Sequence, residues 1–281
     1  PGSYLVDVKV LTDAGGTNAQ YSYNGIQWVT NNANKDWGNN ASSNGIQVAS
    51  MSFGTFSSPL NQDDTGDNGS STEARLVDSL VDEGVVAVAA MGNDGTRRVP
   101  SPASADNVIA VAAVNNRDSI DREDDTIASY SNSGPRDDDG DENKWDELKP
   151  DVAAPGSGIN SVSAQTGSSF PGTPRPEADD DYEEMSGTSM STPLVAGVVA
   201  LMLEANSGLT PLVIKDMIRN NTALPDGVSS SEPSITDKWN DKWGFGLIDA
   251  GCLVDIARGL DCSGNPTSGG DDPVPEPGNG T

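Results

Sequence analysis

Two unbroken apolar runs, Val85–Ala90 (VVAVAA) and Val108–Val114 (VIAVAAV), constrain this chain most. Runs without polar alternation predict strands covered on both faces, as in a parallel sheet with helices above and below it. The segments around them carry helical periodicity. Ser71–Glu83 has Ser and Thr at its start, Leu76, Leu80 and Val81 on one face, and Gly84 as its stop. Asn18–Asn34 sets Tyr21, Ile26, Val29 and Ala33 on one stripe. Ile46–Met51 reads as a buried strand, and Leu5–Leu11 (LVDVKVL) as a strand that alternates apolar with polar residues. Strand, helix, strand, helix, strand in this order predicts an α/β fold with a mainly parallel sheet and right-handed crossovers. Further on, Ser189–Glu204 is apolar all round and is expected to be a central helix. Pro211 leads a helix over Leu212–Asn221, and Asp249–Arg258 forms the last one. Two acidic stretches between them, Asp118–Asp125 and Arg136–Glu147, read as loops.

The 281 residues are ample for a sizeable core. Forty-three acidic against sixteen basic side chains leave a net charge of −27, which excludes a nucleic-acid or anionic-membrane surface. The acid is spread along the whole chain, which points to adaptation to high salt; an ordinary acidic secreted protein is the alternative. Cys252 and Cys262 stand ten apart. A disulfide suits an exported protein, and two buried free thiols are the other reading. No stretch approaches the roughly eighteen apolar residues of a membrane span, and no signal peptide is visible, though the chain opens on Pro1. From Ser263 the composition falls to Gly, Pro, Asp, Ser and Thr. The expected organisation is one domain over residues 1–260, then a linker over 261–281 leading to a further domain that is absent.

Chemistry concentrates in two segments. Ser186–Pro193 (SGTSMSTP) runs straight into the apolar helix, which places Ser189 at a helix N-terminus, where free amides and the dipole favour a developing oxyanion. Gly187 lets a substrate approach and Pro193 suits a first helical turn; the plainer reading makes Ser189 only an N-cap. In Val85–Gly95 (VVAVAAMGNDG) a buried strand ends at Gly92, and Asn93 projects from the loop at its carboxyl end, where α/β sheets collect ligands. Its amide has the chemistry of an oxyanion donor; a plain turn Asn in Asn-Asp-Gly is the alternative.

Together these segments resemble the subtilisin-like serine proteases. SGTSMSTPLVAG resembles that family's nucleophile motif and AAMGNDG its oxyanion-asparagine motif, with VASMSFG, SPASADNVIAVAAV, YSNSGP, KPDVAAPG and WGFGLIDA in family order. The acidity and trailing linker are most similar to halophilic, secreted members. The resemblance implies a three-layer α/β fold with its N-terminal part missing, and an extracellular serine endopeptidase, a monomer acting on protein or peptide substrates. It implies Ser189 as nucleophile, with Asn93 and the Ser189 amide as oxyanion donors. It also implies Ser52, Phe53 and Gly54 as an edge strand pairing with substrate, and Ala90, Met91 and Gly92 as lining of a roomy, apolar-leaning specificity pocket.

The chain contains no histidine. The resemblance places the family's catalytic Asp and His before the segment similar to PGSYLVDVKVL, so neither falls on a residue here, and Asp7 and Asp13 are not substitutes. The family's non-catalytic His after the nucleophile falls on Leu194. A serine without a base keeps only residual rate, so the chain alone is expected to be proteolytically silent. A serine-carboxyl peptidase, in which Glu and Asp replace His, is one alternative; a degenerate, non-catalytic binding module is another. No cofactor is required for the chemistry. Structural Ca²⁺ is conceivable at Asp137, Asp139, Asp141 and Glu142 or in Glu177–Glu184, although solvated acidic loops explain both stretches.

Overall fold

The computed structural model describes residues 3–12, 16, 18–38, 45–55, 66–162 and 182–267. Helix α1 (Ala19–Asn31) starts behind Asn18, whose side chain accepts from the Tyr21 amide. Strand β1 (Val48–Met51), helix α2 (Thr72–Asp82, capped by Ser71), β2 (Val86–Ala90) and β3 (Ile109–Asn115) follow. A 3-10 turn at Arg122–Asp124 leads to β4 (Thr126–Ile127), β5 (Val152–Pro155), β6 (Ile159–Val162) and β7 (Tyr182–Met185). Helices α3 (Thr188–Ala205), α4 (Pro211–Asn221) and α5 (Ala250–Ala257) complete the order.

Strands β1, β2, β3 and β5 are parallel, with Met51 opposite Ala89, Val88 opposite Ile109 and Val111 opposite Val152; short β4 joins β3 antiparallel. The apolar runs behave as their composition demands, because successive side chains serve opposite faces. Val85, Ala87, Ala89 and Met91 pack with Ile26 of α1 and with Val77, Leu80 and Val81 of α2. Val86, Val88 and Val111 pack with Val195, Val199 and Met202 of α3, Ile214 and Ile218 of α4, and Leu253 of α5. Each of these larger aliphatic side chains contributes about 1.5–3 kcal/mol by burial. The three-layer α/β architecture expected from the sequence is the one formed.

Three expectations are corrected. Residues 5–11 form no strand. Alternation makes a half-buried strand only where a neighbour supplies a ladder, and among the described residues β1 pairs with β2 alone. The segment lies against α1 instead, with Val8 and Val10 meeting the helix at Gly25, where any Cβ would collide, while Leu5 and Val6 are exposed. Pro193 sits inside α3 and not in its first turn, because the helix begins at Thr188 behind Gly187. Ser189 is therefore not the N-cap. The carbonyl that a normal residue 193 would bond belongs to Ser189, four residues back. It accepts instead from the Ser52 hydroxyl at 2.9 Å.

Contrary to the expectation that no stretch approaches a membrane span, helix α3 is long and apolar enough by composition to cross a membrane. Its Val195, Val198, Val199 and Met202 are nonetheless buried against the sheet and its neighbouring helices, as in a core helix, while Leu194 and Leu201 on another face are exposed. Cys252 and Cys262 are joined as a disulfide. Beyond it the chain turns back, with Leu260 bridging Pro266 and Asp261 Oδ1 accepting from the amides of Ser263 and Asn265. The remaining tail, Asp13 and most of Glu177–Glu184 lie outside the described residues.

Candidate active site

Three elements end where the two chemistry-bearing motifs meet. β2 delivers Met91–Asn93 from its carboxyl end, β1 delivers Ser52–Gly54, and α3 presents Thr188 and Ser189 in its first turn. Gly187 takes the N-cap without a side-chain cap bond; at the positive end of α3 the Thr188 amide donates to Asn93 Oδ1 and the Met190 amide to Gly187 O, and the Ser189 amide between them has no acceptor among the described residues.

Asn93 is locked from one side. Its Oδ1 accepts from the Thr188 amide at 2.8 Å and from the Thr188 hydroxyl at 2.9 Å. The same hydroxyl accepts from the Gly92 amide at 3.1 Å. With Oδ1 spoken for by two donors, the amide cannot flip, and Nδ2 is fixed as the outward donor. Nδ2 lies beside Gly187, where a Cβ would approach it to 3.3 Å. Among the described residues nothing accepts a hydrogen bond from this Nδ2. An exposed loop thus holds a preset amide donor beside the open Ser189 amide, the arrangement that stabilises negative charge on an oxygen.

The loop is itself held from below. Gly92 has φ of +95°, and a Cβ there would meet Asn132 Nδ2 at 2.6 Å. Asn132, almost wholly buried, accepts from the Asp94 amide at 2.8 Å, and its own amide donates to Gly92 O at 3.1 Å. Thr188 and Asn132 were both in plain view in the sequence motifs, but their partners lie ninety-five and thirty-eight residues away in sequence.

Ser189 is half-buried, and its Oγ donates to Ser52 O at 3.3 Å. Ser52 and Ser189 therefore exchange two hydrogen bonds, which pins the end of β1 to the first turn of α3. No carboxylate accepts from Ser189 Oγ among the described residues. β1 ends at Met51, and residues 52–54 carry no ladder of their own, although Thr55 bridges Ser101 antiparallel. Glu73 lies under that segment and accepts from Thr55 Oγ1 at 2.7 Å; burial pushes its carboxyl above the usual range, against the pull of its hydroxyl donors. Ala90 is buried, and the Met91 side chain is wholly inside the core, so Met91 offers the site its backbone.

The floor of α3 rests on β5. Gly187 N donates to Gly156 O at 2.8 Å, and Ser191 Oγ donates to Ala154 O at 3.0 Å. At its other end β5 is anchored by Asp151, fully buried among Lys149, Lys215 and Arg219. Burial alone would push this carboxyl up; the three cations and the Ala110 amide outweigh it and hold Asp151 far below the usual carboxylate range.

Of the acidic residues considered for Ca²⁺, only Asp139 joins a convergent carboxylate group among the described residues.

The sequence model of the subtilase family (Peptidase_S8) matches residues 1–246. Serine protease AprX of Bacillus subtilis (strain 168) is 30% identical over 260 residues, 89% of this chain and 51% of that protein. The subtilisin of Bacillus pumilus is 32% identical over 224 residues, 78% of this chain and 61% of its own length. An extracellular protease of Xanthomonas campestris pv. campestris is 32% identical over 259 residues, 91% of this chain and 36% of its own. The chain spans about half the length of the curated relatives it matches. Among solved structures, the prenylagaramide maturation protease PagA shares the fold with a TM-score of 0.56 at 19% identity, over 87% of this chain and 69% of its own.

Proposed function

The chain belongs to the subtilase family, and on that premise we propose that it works in a secreted serine endopeptidase, with Ser189 attacking the carbonyl carbon of a peptide bond. The observation that carries this reading is the fixed amide of Asn93. Two Thr188 donors occupy its Oδ1, which leaves Nδ2 to meet the oxyanion together with the open amide of Ser189. One such donor lowers the barrier by about 3–4 kcal/mol. Ser52–Gly54 take the extended substrate backbone, which adds a strand beside the end of β1. Ala90, the Met91 backbone and Gly92 border the pocket for the side chain before the scissile bond, and their small size suits large apolar groups.

A serine hydroxyl needs a proton acceptor, and these 281 residues contain no histidine. The Ser52 carbonyl that now accepts from Ser189 is too weak a base for that role. The acceptor therefore comes from outside these residues, and the 281-residue chain by itself hydrolyses no peptide. A serine-carboxyl mechanism is disfavoured by the lack of a carboxylate bonded to Ser189 among the described residues, and a non-catalytic module by the intact oxyanion geometry. The test is cleavage of a fluorogenic peptide by the natural full-length product and by the 281-residue chain, each with and without Ser189→Ala. Cleavage by the full-length product that Ser189→Ala abolishes supports the reading. Cleavage by the 281-residue chain that depends on Ser189 would refute the external base.

A further inference from the structure

Away from the Ser189 site, the acidic loop at residues 136–147 folds back on the segment that leads into β3. Arg136 is fully buried and gathers three carboxylates. Its Nη1 meets Asp106 at 2.6 Å, and its Nη2 meets Asp139 and Asp146, each at 3.2 Å. One oxygen from each of the three lies within 4.8 Å of the others. Three carboxylates around one guanidinium leave this cluster two negative charges in excess. Lys144 of the same loop is engaged elsewhere, with Asp138 and Glu147, and Lys149 and Lys215 donate to the Asp106 backbone carbonyl, not to the three carboxylates.

A second observation is independent of the clustering. Asp146 is only 6% exposed, and its Oδ1 is buried with no hydrogen-bond donor. Burying an ionised carboxylate with one oxygen unanswered is unfavourable unless a cation answers it.

We propose that Asp106, Asp139 and Asp146 form a binding site for a hard divalent cation, Ca²⁺ being the best match, with Arg136 retained as the bridge that spaces the carboxylates. All three donors are oxygen, which disfavours soft metals. Asp106 and Asp139 are partly open to solvent, so water completes the shell, and Ca²⁺ tolerates such an irregular set of six to eight oxygens better than Mg²⁺ does. The ion would tie the acidic loop to the entry of β3 across a sequence separation of up to forty residues. This site is independent of the peptidase reading.

The test is calorimetric titration of the chelator-stripped protein with CaCl₂ at fixed monovalent salt, paired with Tb³⁺ luminescence sensitised by Trp145, the sequence neighbour of Asp146. One equivalent of Ca²⁺ is expected, with affinity at least tenfold lower in Asp146→Asn and in Asp139→Asn and unchanged in Asp141→Asn, a loop carboxylate outside the cluster. Should Asp146→Asn not fold, Asp139→Asn and Asp106→Asn carry the test. Absence of a one-to-one site, equal binding by the cluster variants, or an equal loss in Asp141→Asn would each overturn the proposal.

Discussion

Asp151→Ala probes the support beneath the site. The carboxylate is fully buried: Oδ1 accepts from Arg219 Nε at 2.7 Å, and Oδ2 accepts from the Ala110 amide at 2.7 Å and from Lys149 Nζ at 3.3 Å. Lys215 Nζ stands 3.6 Å from Oδ1. Alanine leaves three buried cations facing one another without their anion. Removing one partner of a buried pair costs about 3–5 kcal/mol, and the orphaned Ala110 N–H adds about 1–3 kcal/mol. The sum, about 4–8 kcal/mol, rivals the whole stability of an ordinary domain. The assay is urea unfolding at constant KCl, followed by the fluorescence of Trp239, which is fully buried and donates its Nε1 to Pro150 O at 3.0 Å, next to the perturbed residue. Asp151→Asn, which keeps the shape and an acceptor, is the milder variant if Asp151→Ala does not fold. The pH dependence carries a definite sign. The folded carboxyl titrates below its unfolded value, so its contribution is present above about pH 4, the unfolded pKa, and is lost as pH falls toward the folded one. Wild type therefore loses stability over that acid range, and the Asp151 variants lack this component. A loss smaller than about 1.5 kcal/mol with an unchanged urea slope, or an unchanged acid limb, would refute the reasoning.

Ser52→Ala strands the Ser189 carbonyl that Pro193 leaves without its helical donor, at a cost of about 1–3 kcal/mol; Pro193→Ala supplies that donor and should recover much of the loss in a double-mutant cycle read by urea midpoints. Asn93→Ala in a cleaving full-length product should lower kcat about 10²–10³-fold with little change in KM, as measured with a peptide substrate. With 43 acidic against 16 basic side chains, self-repulsion is screened only by salt, so dialysis from molar KCl into dilute buffer should lower Tm by ten degrees or more; an unchanged Tm would remove the high-salt reading.

The apolar runs fixed the sheet in advance because β2 and β3 need no partner information to be recognised: every residue of β2 is buried. Helices α2 and α4 were legible from Ser71, Gly84 and Pro211, whose backbone preferences act locally. Strands β6 and β7 were not, since their residues are mostly exposed and bear no apolar alternation. Residues 5–11 misled for the opposite reason, having the alternation but forming no strand. In the site, the nucleophile and asparagine motifs were readable, but the Thr188 lock on Asn93, the Ser52 bond to Ser189 and the Asp106–Asp139–Asp146 cluster join residues far apart in sequence. Local pattern carries no information on such pairs.

The most direct test of the central claim is covalent labelling with a fluorophosphonate, a reagent that phosphonylates only an activated serine, followed by intact mass and peptide mapping. One label is expected, on Ser189, in the natural full-length product, and none in the 281-residue chain alone. A label on another serine, or full labelling of the 281-residue chain at Ser189, would contradict it.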